Sequence, residues 1–374
     1  MQFIDLKAQQ ERIRPALDAA IANVLDHGKY IMGPEVHELE KQLAEYVDCK
    51  HAIGCSSGTD ALLIPLMAYG VGPGDAIFTT PFTFFATPEM IALTGATPVF
   101  VDIEPDTYNI DPVKLEEAIA EVKAEGKLVP KGIIPVDLFG LAADYDRIMP
   151  IADKHDLFVI EDAAQSFGAE YKGRKAPNLA HVGTTSFFPA KPLGGYGDGG
   201  AIFTNDDDLA EKMRSILVHG KGTDKYNNVR IGINGRLDTI QAAILIEKLK
   251  LYPEEVELRQ KVATKYTGAL KGDGVTDFVT PVVADQYKSV WAQYCIQSDE
   301  RDTVMTRLKD NDIPSMIYYV KPMHLLDAFK DLGHKVGDFP IAEAASEKIF
   351  ALPMHPYLSD EDQEKVIKTL SGIN

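Results

Sequence analysis

The chain has 374 residues, a mass of 41.1 kDa and a formal net charge of −18. That length suits one large domain with a smaller one, and the acidity argues against nucleic acid and anionic membranes as partners. Apolar residues make up 45% and charged residues 25%, an ordinary globular composition.

The opening stretch, MQFIDLKAQQERIRPAL, carries charges at Asp5, Lys7, Glu11, Arg12 and Arg14. No apolar run follows them, so it does not read as a signal peptide. Nor does any stretch reach the ~20 apolar residues of a membrane span. Cys49, Cys55 and Cys295 form no C-x-x-C. No disulfide framework and no metal site is therefore expected, and a cytoplasmic setting is the simpler reading.

From residue 50 onward, short apolar runs alternate with helical patterns. HAIGC (51–55) predicts a strand and TDALLIPLMAYG a helix. DAIFTT (75–80) predicts a strand, followed by a helix over 86–94. PVFVDI (98–103) precedes a helix over 112–124. KGIIPVDLF (131–139) precedes a helix over 145–155, and LFVIED (157–162) ends in two acids. TTSFF (184–188) and GAIFT (200–204) are two more strands. This alternation predicts an α/β fold with a mostly parallel sheet covered on both faces.

A helix then runs from Asp206 to about His219, followed by a polar, glycine-rich loop over 222–236. The next helix starts at Leu237, and Pro253 is expected to interrupt or restart it. The texture changes near residue 250. The chain therefore divides into a large domain over 1–250, with an N-terminal helical segment, and a smaller α+β domain over 251–374. WAQYCIQ (291–297) is one of its strands.

The stretch SFFPAKPLGGYGDGGAIFT (186–204) contains G-x-G-x-x-G from Gly195 to Gly200. A dinucleotide loop needs a strand before that motif and a helix after it. Here Gly200 leads into a strand, so the match reads as coincidence and NAD is not expected. The one cation of the stretch, Lys191, is a different matter. Alone it reads as a surface lysine. Set between an apolar SFFPA and a glycine turn, it can also read as a Schiff-base lysine, an amine made nucleophilic by burial.

Three other places add weight to that reading. Asp162 closes LFVIED at the carboxyl end of a strand, where such sheets bind ligands. Alone it reads as a helix cap, but a carboxylate there can also keep a pyridine nitrogen protonated, and Gln165 can reach the same ring. SSGTDAL (56–62) is a glycine turn before a helix, a geometry that offers N–H groups to an anion. PFTFFAT (81–87) places Phe84 where it can stack on a ring, although core packing reads as well.

Together SSGTDAL, PFTFFAT, EDAAQSFGA, SFFPAKPLGGYGDGGA and GINGRLDTIQAAIL resemble the DegT-type sugar-nucleotide aminotransferases. These are fold type I enzymes that use pyridoxal 5′-phosphate. The resemblance runs from FIDLKAQ to IYYVKPMH (317–324). It implies that Lys191 is catalytic and holds the cofactor, that Asp162 faces its ring nitrogen, and that Gln165 and Phe84 contact the ring. Gly58, Thr59 and Ser186 would bind its phosphate. Asn234 would reach the phosphate of a neighbouring subunit, making a homodimer with shared sites. Many relatives read SFHPSK where this chain has Phe188 and Ala190. Some carry histidine in place of the lysine and are dehydratases, so Lys191 favours transamination.

FIDLK, GPEV (33–36) and SFFPAKPLG look most like the enzymes that aminate C3 of a UDP-linked 2-acetamido-3-keto-glucuronic acid, in bacterial surface polysaccharide synthesis. The implied partners are L-glutamate and a keto-sugar nucleotide. Arg230 and Arg236 are candidates for the sugar carboxylate, with Tyr318 and His324 beside them. For each arginine a structural ion pair reads at least as well. The alternatives are a C4 aminotransferase acting on a UDP-, dTDP- or GDP-linked 4-keto-6-deoxy sugar, and a non-catalytic regulator with the same fold.

Overall fold

A computed structural model describes residues 1–224, 226–271 and 278–372; Lys225, within the expected 222–236 loop, lies outside the described residues. Seven strands form the main sheet: β1 (His51–Cys55), β2 (Asp75–Thr79), β3 (Thr97–Phe100), β4 (Val129–Ile134), β5 (Phe158–Asp162), β6 (Val182–Ser186) and β7 (Gly200–Thr204). Their spatial order is β1-β7-β6-β5-β4-β2-β3. The pairs from β3 through β2, β4 and β5 to β6 are parallel. Strand β7 runs antiparallel to both β6 and β1.

Side chains alternate across the sheet, as the strand period of two requires. On β5, Val159 packs into one apolar layer, with Leu39, Phe78, Ile133 and Leu245. Its neighbour Ile160 faces the other, with Ile53, Ile64, Ile134 and Ile216. Each large side chain buried this way contributes about 1.5–3 kcal/mol, so both faces hold the strand ends in place.

The helices start where the sequence supplies caps. Asp111 accepts from Val113 and Lys114 N–H groups ahead of Pro112–Glu125. Asp206 accepts from the Leu209 N–H ahead of Asp207–Leu217. These side-chain oxygens satisfy donors that the helix itself cannot.

Pro253 does not break its helix: Thr239–Leu270 is continuous over 32 residues. The proline lies on the exposed side. Leu249, Tyr252, Val256, Arg259, Val262 and Tyr266 form the buried stripe. Packing along that stripe outweighs the one hydrogen bond that proline removes. The expected strand over 184–188 ends at Ser186, so Phe187 and Phe188 lie outside it. The strand expected from Trp291 begins only at Tyr294, because Trp291 takes a left-handed φ of 51°.

The long helix crosses residue 250 and leads into a further apolar cluster built from Val262, Tyr266, Tyr294, Leu308, Phe350 and Val366. An antiparallel pair, Tyr294–Gln297 with Ile349–Leu352, lies at its centre. Among the described residues, no helix is long and apolar enough to cross a membrane.

Candidate active site

The sheet register brings the site together. Gly200 at the start of β7 lies opposite both Ser186 and Cys55. The turn after β1 therefore sits beside the end of β6, and Asp162 ends the neighbouring β5, opposite Thr184. The loop carrying Lys191 connects β6 to β7 above this row.

That loop is held at several points. Phe187 N–H donates to the Gly199 carbonyl (2.8 Å), and Gly195 N–H to the Phe187 carbonyl (2.8 Å). Tyr196 N–H donates to Gln241 Oε1 (2.9 Å), on the long helix. A Cβ on Gly195 or Gly197 would stand 2.9 or 2.8 Å from the Gln241 amide. The glycines thus let the loop press against Gln241, which explains their density better than a dinucleotide motif does.

Half-buried Lys191 lies close enough to buried Asp162 for their charges to interact. Burial pushes the Lys191 amine below the usual lysine range, and the Asp162 carboxylate pulls it partly back. Burial also raises Asp162; the Thr87 hydroxyl, the Ala164 N–H and the Lys191 charge oppose that rise. Thr87 Oγ1 donates to Asp162 Oδ2 at 2.8 Å, and Ala164 N–H to Oδ1 at 3.2 Å. A carboxylate with two fixed donors and a cation partner is an affordable buried charge.

Gln165 is clamped by two partners. Phe139 N–H donates to its Oε1 (2.7 Å), and its Nε2 donates to the Tyr319 hydroxyl (2.9 Å). Phe84 stands in the segment that also supplies Thr87, with 58% of its surface open.

At the other end, Ser57 caps the helix Gly58–Ala68 by accepting from Asp60 N–H at 3.0 Å. A Cβ on Gly58 would fall 2.5 Å from Ser186 Cβ. Only glycine lets the turn lie against Ser186, so Gly58, Thr59 and Ser186 share one cradle at a helix N-terminus. Such a terminus has unpaired N–H groups and positive potential. Arg236 borders it: its backbone bridges to Cys55, and its buried Nε has no protein partner.

The remaining candidates are more scattered. Asn234 is exposed, next to Gly235, whose carbonyl accepts from Ser56 N–H (2.8 Å). Arg230 is part of an open loop in which Tyr226 and Ile231 are about 85% exposed, at 84% and 85%. Tyr318 packs against Phe3 and Tyr319. His324 is sealed, with its Nε2 3.1 Å from Glu343 Oε1 and its ring against Phe339.

Sequence reasoning missed Thr87, Gln241 and Tyr319. Thr87 lay inside a quoted motif, but only the fold turns it toward Asp162. Tyr319 stands beside the chosen Tyr318, and nothing in a Tyr-Tyr pair says which ring faces Gln165. Gln241 also lay inside a quoted motif, GINGRLDTIQAAIL, but only the packing of the long helix brings it against the glycine loop.

The donor set fits pyridoxal 5′-phosphate. A half-buried amine suits its aldehyde, a buried carboxylate suits its ring nitrogen, and a tight cradle of Gly58, Thr59 and Ser186 at a helix N-terminus suits its phosphate.

The chain is similar to known proteins over nearly its whole length. The model of the DegT/DnrJ/EryC1/StrS aminotransferase family matches residues 11–371. The UDP-2-acetamido-2-deoxy-3-oxo-D-glucuronate aminotransferase of Pseudomonas aeruginosa is 51% identical over 96% of each chain. The crystal structure of a DegT DnrJ EryC1 StrS aminotransferase from Brucella abortus superposes with a TM-score of 0.97 at 54% identity, covering 100% of this chain and 99% of that one. Spr1654 of Streptococcus pneumoniae, solved in its PMP form, matches with a TM-score of 0.88 at 27% identity over 96% of each chain. The chain therefore belongs to the DegT/DnrJ/EryC1/StrS aminotransferase family and is a sugar aminotransferase that depends on pyridoxal 5′-phosphate.

Proposed function

We propose that this enzyme moves the amino group of L-glutamate to C3 of UDP-2-acetamido-2-deoxy-3-keto-glucuronic acid, in the cytoplasm, for bacterial surface polysaccharide. The observation that carries this reading is the 51% identity to the Pseudomonas aeruginosa enzyme named for that substrate. The Lys191–Asp162 neighbourhood supports catalysis over a regulatory role, since burial there pushes the lysine amine below its ordinary range.

The cofactor supplies an electron sink for the carbon that gains or loses the amine. Lys191 would hold the cofactor's aldehyde, and its Nζ would serve as general base and general acid at the amine-bearing carbon. Asp162 would keep the ring nitrogen protonated, with Thr87 holding Asp162, and Gln165 would orient the ring. Phe84 would pack on the ring. Gly58, Thr59 and Ser186 would hold the phosphate. The two substrates use the site in turn, so ping-pong kinetics are expected.

A homodimer with shared sites is part of the proposal. The open Tyr226, Val229 and Ile231 give the 222–236 loop the apolar surface of an interface, from which Asn234 would reach a partner's phosphate. Arg230 and Arg236 are the cations for the hexuronate carboxylate, and Tyr318 offers a hydroxyl. His324 would have to leave Glu343 to touch substrate. Residues 1–250 would carry the cofactor and 251–374 would close over it. Three free, buried cysteines fit a reducing compartment.

The test is the visible spectrum of the purified enzyme before and after L-glutamate, followed by a panel of keto-sugar nucleotides. We expect a cofactor band that bleaches with glutamate and is absent in Lys191→Ala, with activity down by at least roughly 10⁴-fold. Faster turnover of a 4-keto-6-deoxy sugar than of the 3-keto-uronate would overturn the substrate assignment.

A further inference from the structure

Asp162 has a neighbour that the chemistry above leaves unused. Glu161 precedes it on β5 and points to the opposite face of the sheet. It has no solvent-exposed surface, and neither has Asp137, which lies against it. Two carboxyl groups in contact inside an apolar layer cannot both be ionised at modest cost.

Burial raises both, Asp137 to about 6 and Glu161 further, and the hydrogen bonds point to which one keeps the proton. Asp137 Oδ1 accepts from Ala143 N–H (2.9 Å) and from the Tyr145 hydroxyl (2.8 Å). Its Oδ2 accepts from the Ser166 hydroxyl (2.9 Å). Three donors favour the anion at Asp137. Glu161 Oε2 accepts from Leu179 N–H (2.8 Å) and the Ala180 N–H also favours its anion, while its Oε1 meets no hydrogen-bond donor. A carboxylate oxygen without a donor, beside a saturated carboxylate, is stable only as a hydroxyl that donates.

The pair sits where two loops are braced. Asp137 N–H donates to the Asp162 carbonyl (3.0 Å), and Asp162 N–H to the Pro135 carbonyl (3.0 Å). Phe139 N–H clamps Gln165 Oε1, and Ser166 returns to Asp137. Residues 135–139 and 162–166 therefore move as one unit, and that unit carries Asp162 and Gln165.

We infer that Glu161 is a positioning residue: it keeps its carboxyl proton, donates it to Asp137, and through this closed pair fixes the loops that present Asp162 and Gln165 to the cofactor. The consequence for the reaction rests on the cofactor roles proposed above; the protonation does not. Tyr145 and Cys49 are the other titratable groups that feel the pair's charge. Burial and the Asp137 charge raise the Glu161 carboxyl well above its ordinary range. The folded state thus binds a proton that the unfolded chain has released, and stability contributed by the pair falls as pH climbs above the unfolded value.

The test has two arms. In wild-type enzyme labelled with ¹³C at glutamate carboxyls, infrared spectroscopy should show one glutamate that remains protonated at neutral pH; its absence overturns the proposal without any variant. In Glu161→Gln the amide replaces the donor. This variant should keep its cofactor and most of its activity, and should lose stability less steeply with rising pH than wild type. Glu161→Ala should fold less stably, hold the cofactor more weakly and lose up to roughly 100-fold in kcat/KM. Equal damage from Gln and Ala, or identical stability slopes in Gln and wild type, would sink the idea. A persistent protonated glutamate with no cofactor band would fault the cofactor roles and leave the pair standing.

Discussion

The two ends of the proposed cofactor pocket are built from opposite materials. At the proposed ring end, the polar side chains have named partners: Asp162 is held by Thr87, Gln165 by Phe139 and Tyr319, and the Lys191 charge feels Asp162. At the phosphate end the cradle is backbone and small residues, with Gly58 pressed on Ser186. One end depends on chemical identity, because a buried charge without its partner is costly. The other depends on shape.

Breaking the ring end should cost most. Asp162→Asn keeps the volume and removes the charge. We expect kcat to fall by roughly 10²- to 10³-fold, the size of a lost buried electrostatic contact. The same variant has a pH signature. Asp162 raises Lys191 and burial lowers it; removing Asp162 leaves burial alone, so the amine becomes neutral at lower pH. The rate of cofactor reconstitution, followed by absorbance against pH, should shift its rise toward acid. A shift toward alkali would show that the two groups do not interact as described.

The phosphate end should respond to size. In Gly58→Ala the new Cβ meets Ser186 Cβ, an overpacking worth about 1–3 kcal/mol. Equilibrium dialysis should show the loss for pyridoxal phosphate and little of it for pyridoxal, which lacks the phosphate. An equal loss for both would mean that the damage reaches the ring and that the two ends are not separable. The smallest effect belongs to Phe84→Leu, since an exposed ring contributes only about 0.5–1.5 kcal/mol by stacking. A change of a few-fold in cofactor dissociation is expected.

This contrast also explains what could be read from the sequence. Lys191, Asp162 and the Gly58 turn stand at strand ends and strand-to-helix junctions, and alternating apolar runs locate those ends. Their meaning is local. Tyr319, Gln241 and the Asp137–Glu161 pair depend on which distant segments pack together, and no spacing encodes that. His324 looked available beside Tyr318, yet the fold seals it against Glu343 and Phe339. Pro253 signalled a break that a buried stripe on the other side of the helix overrides.

Strand β7 reverses direction beside β6, so the segment carrying Lys191 leaves and re-enters the sheet at cross-strand neighbours, Ser186 and Gly200. No crossover helix has to be rebuilt when that segment changes. Between these fixed sockets, only the positions that carry Lys191 and the Gln241 contacts need be kept. Doubling its length would cost only about 0.6 kcal/mol in closure entropy, while the rows that hold Asp162 and the Gly58 turn stay in register.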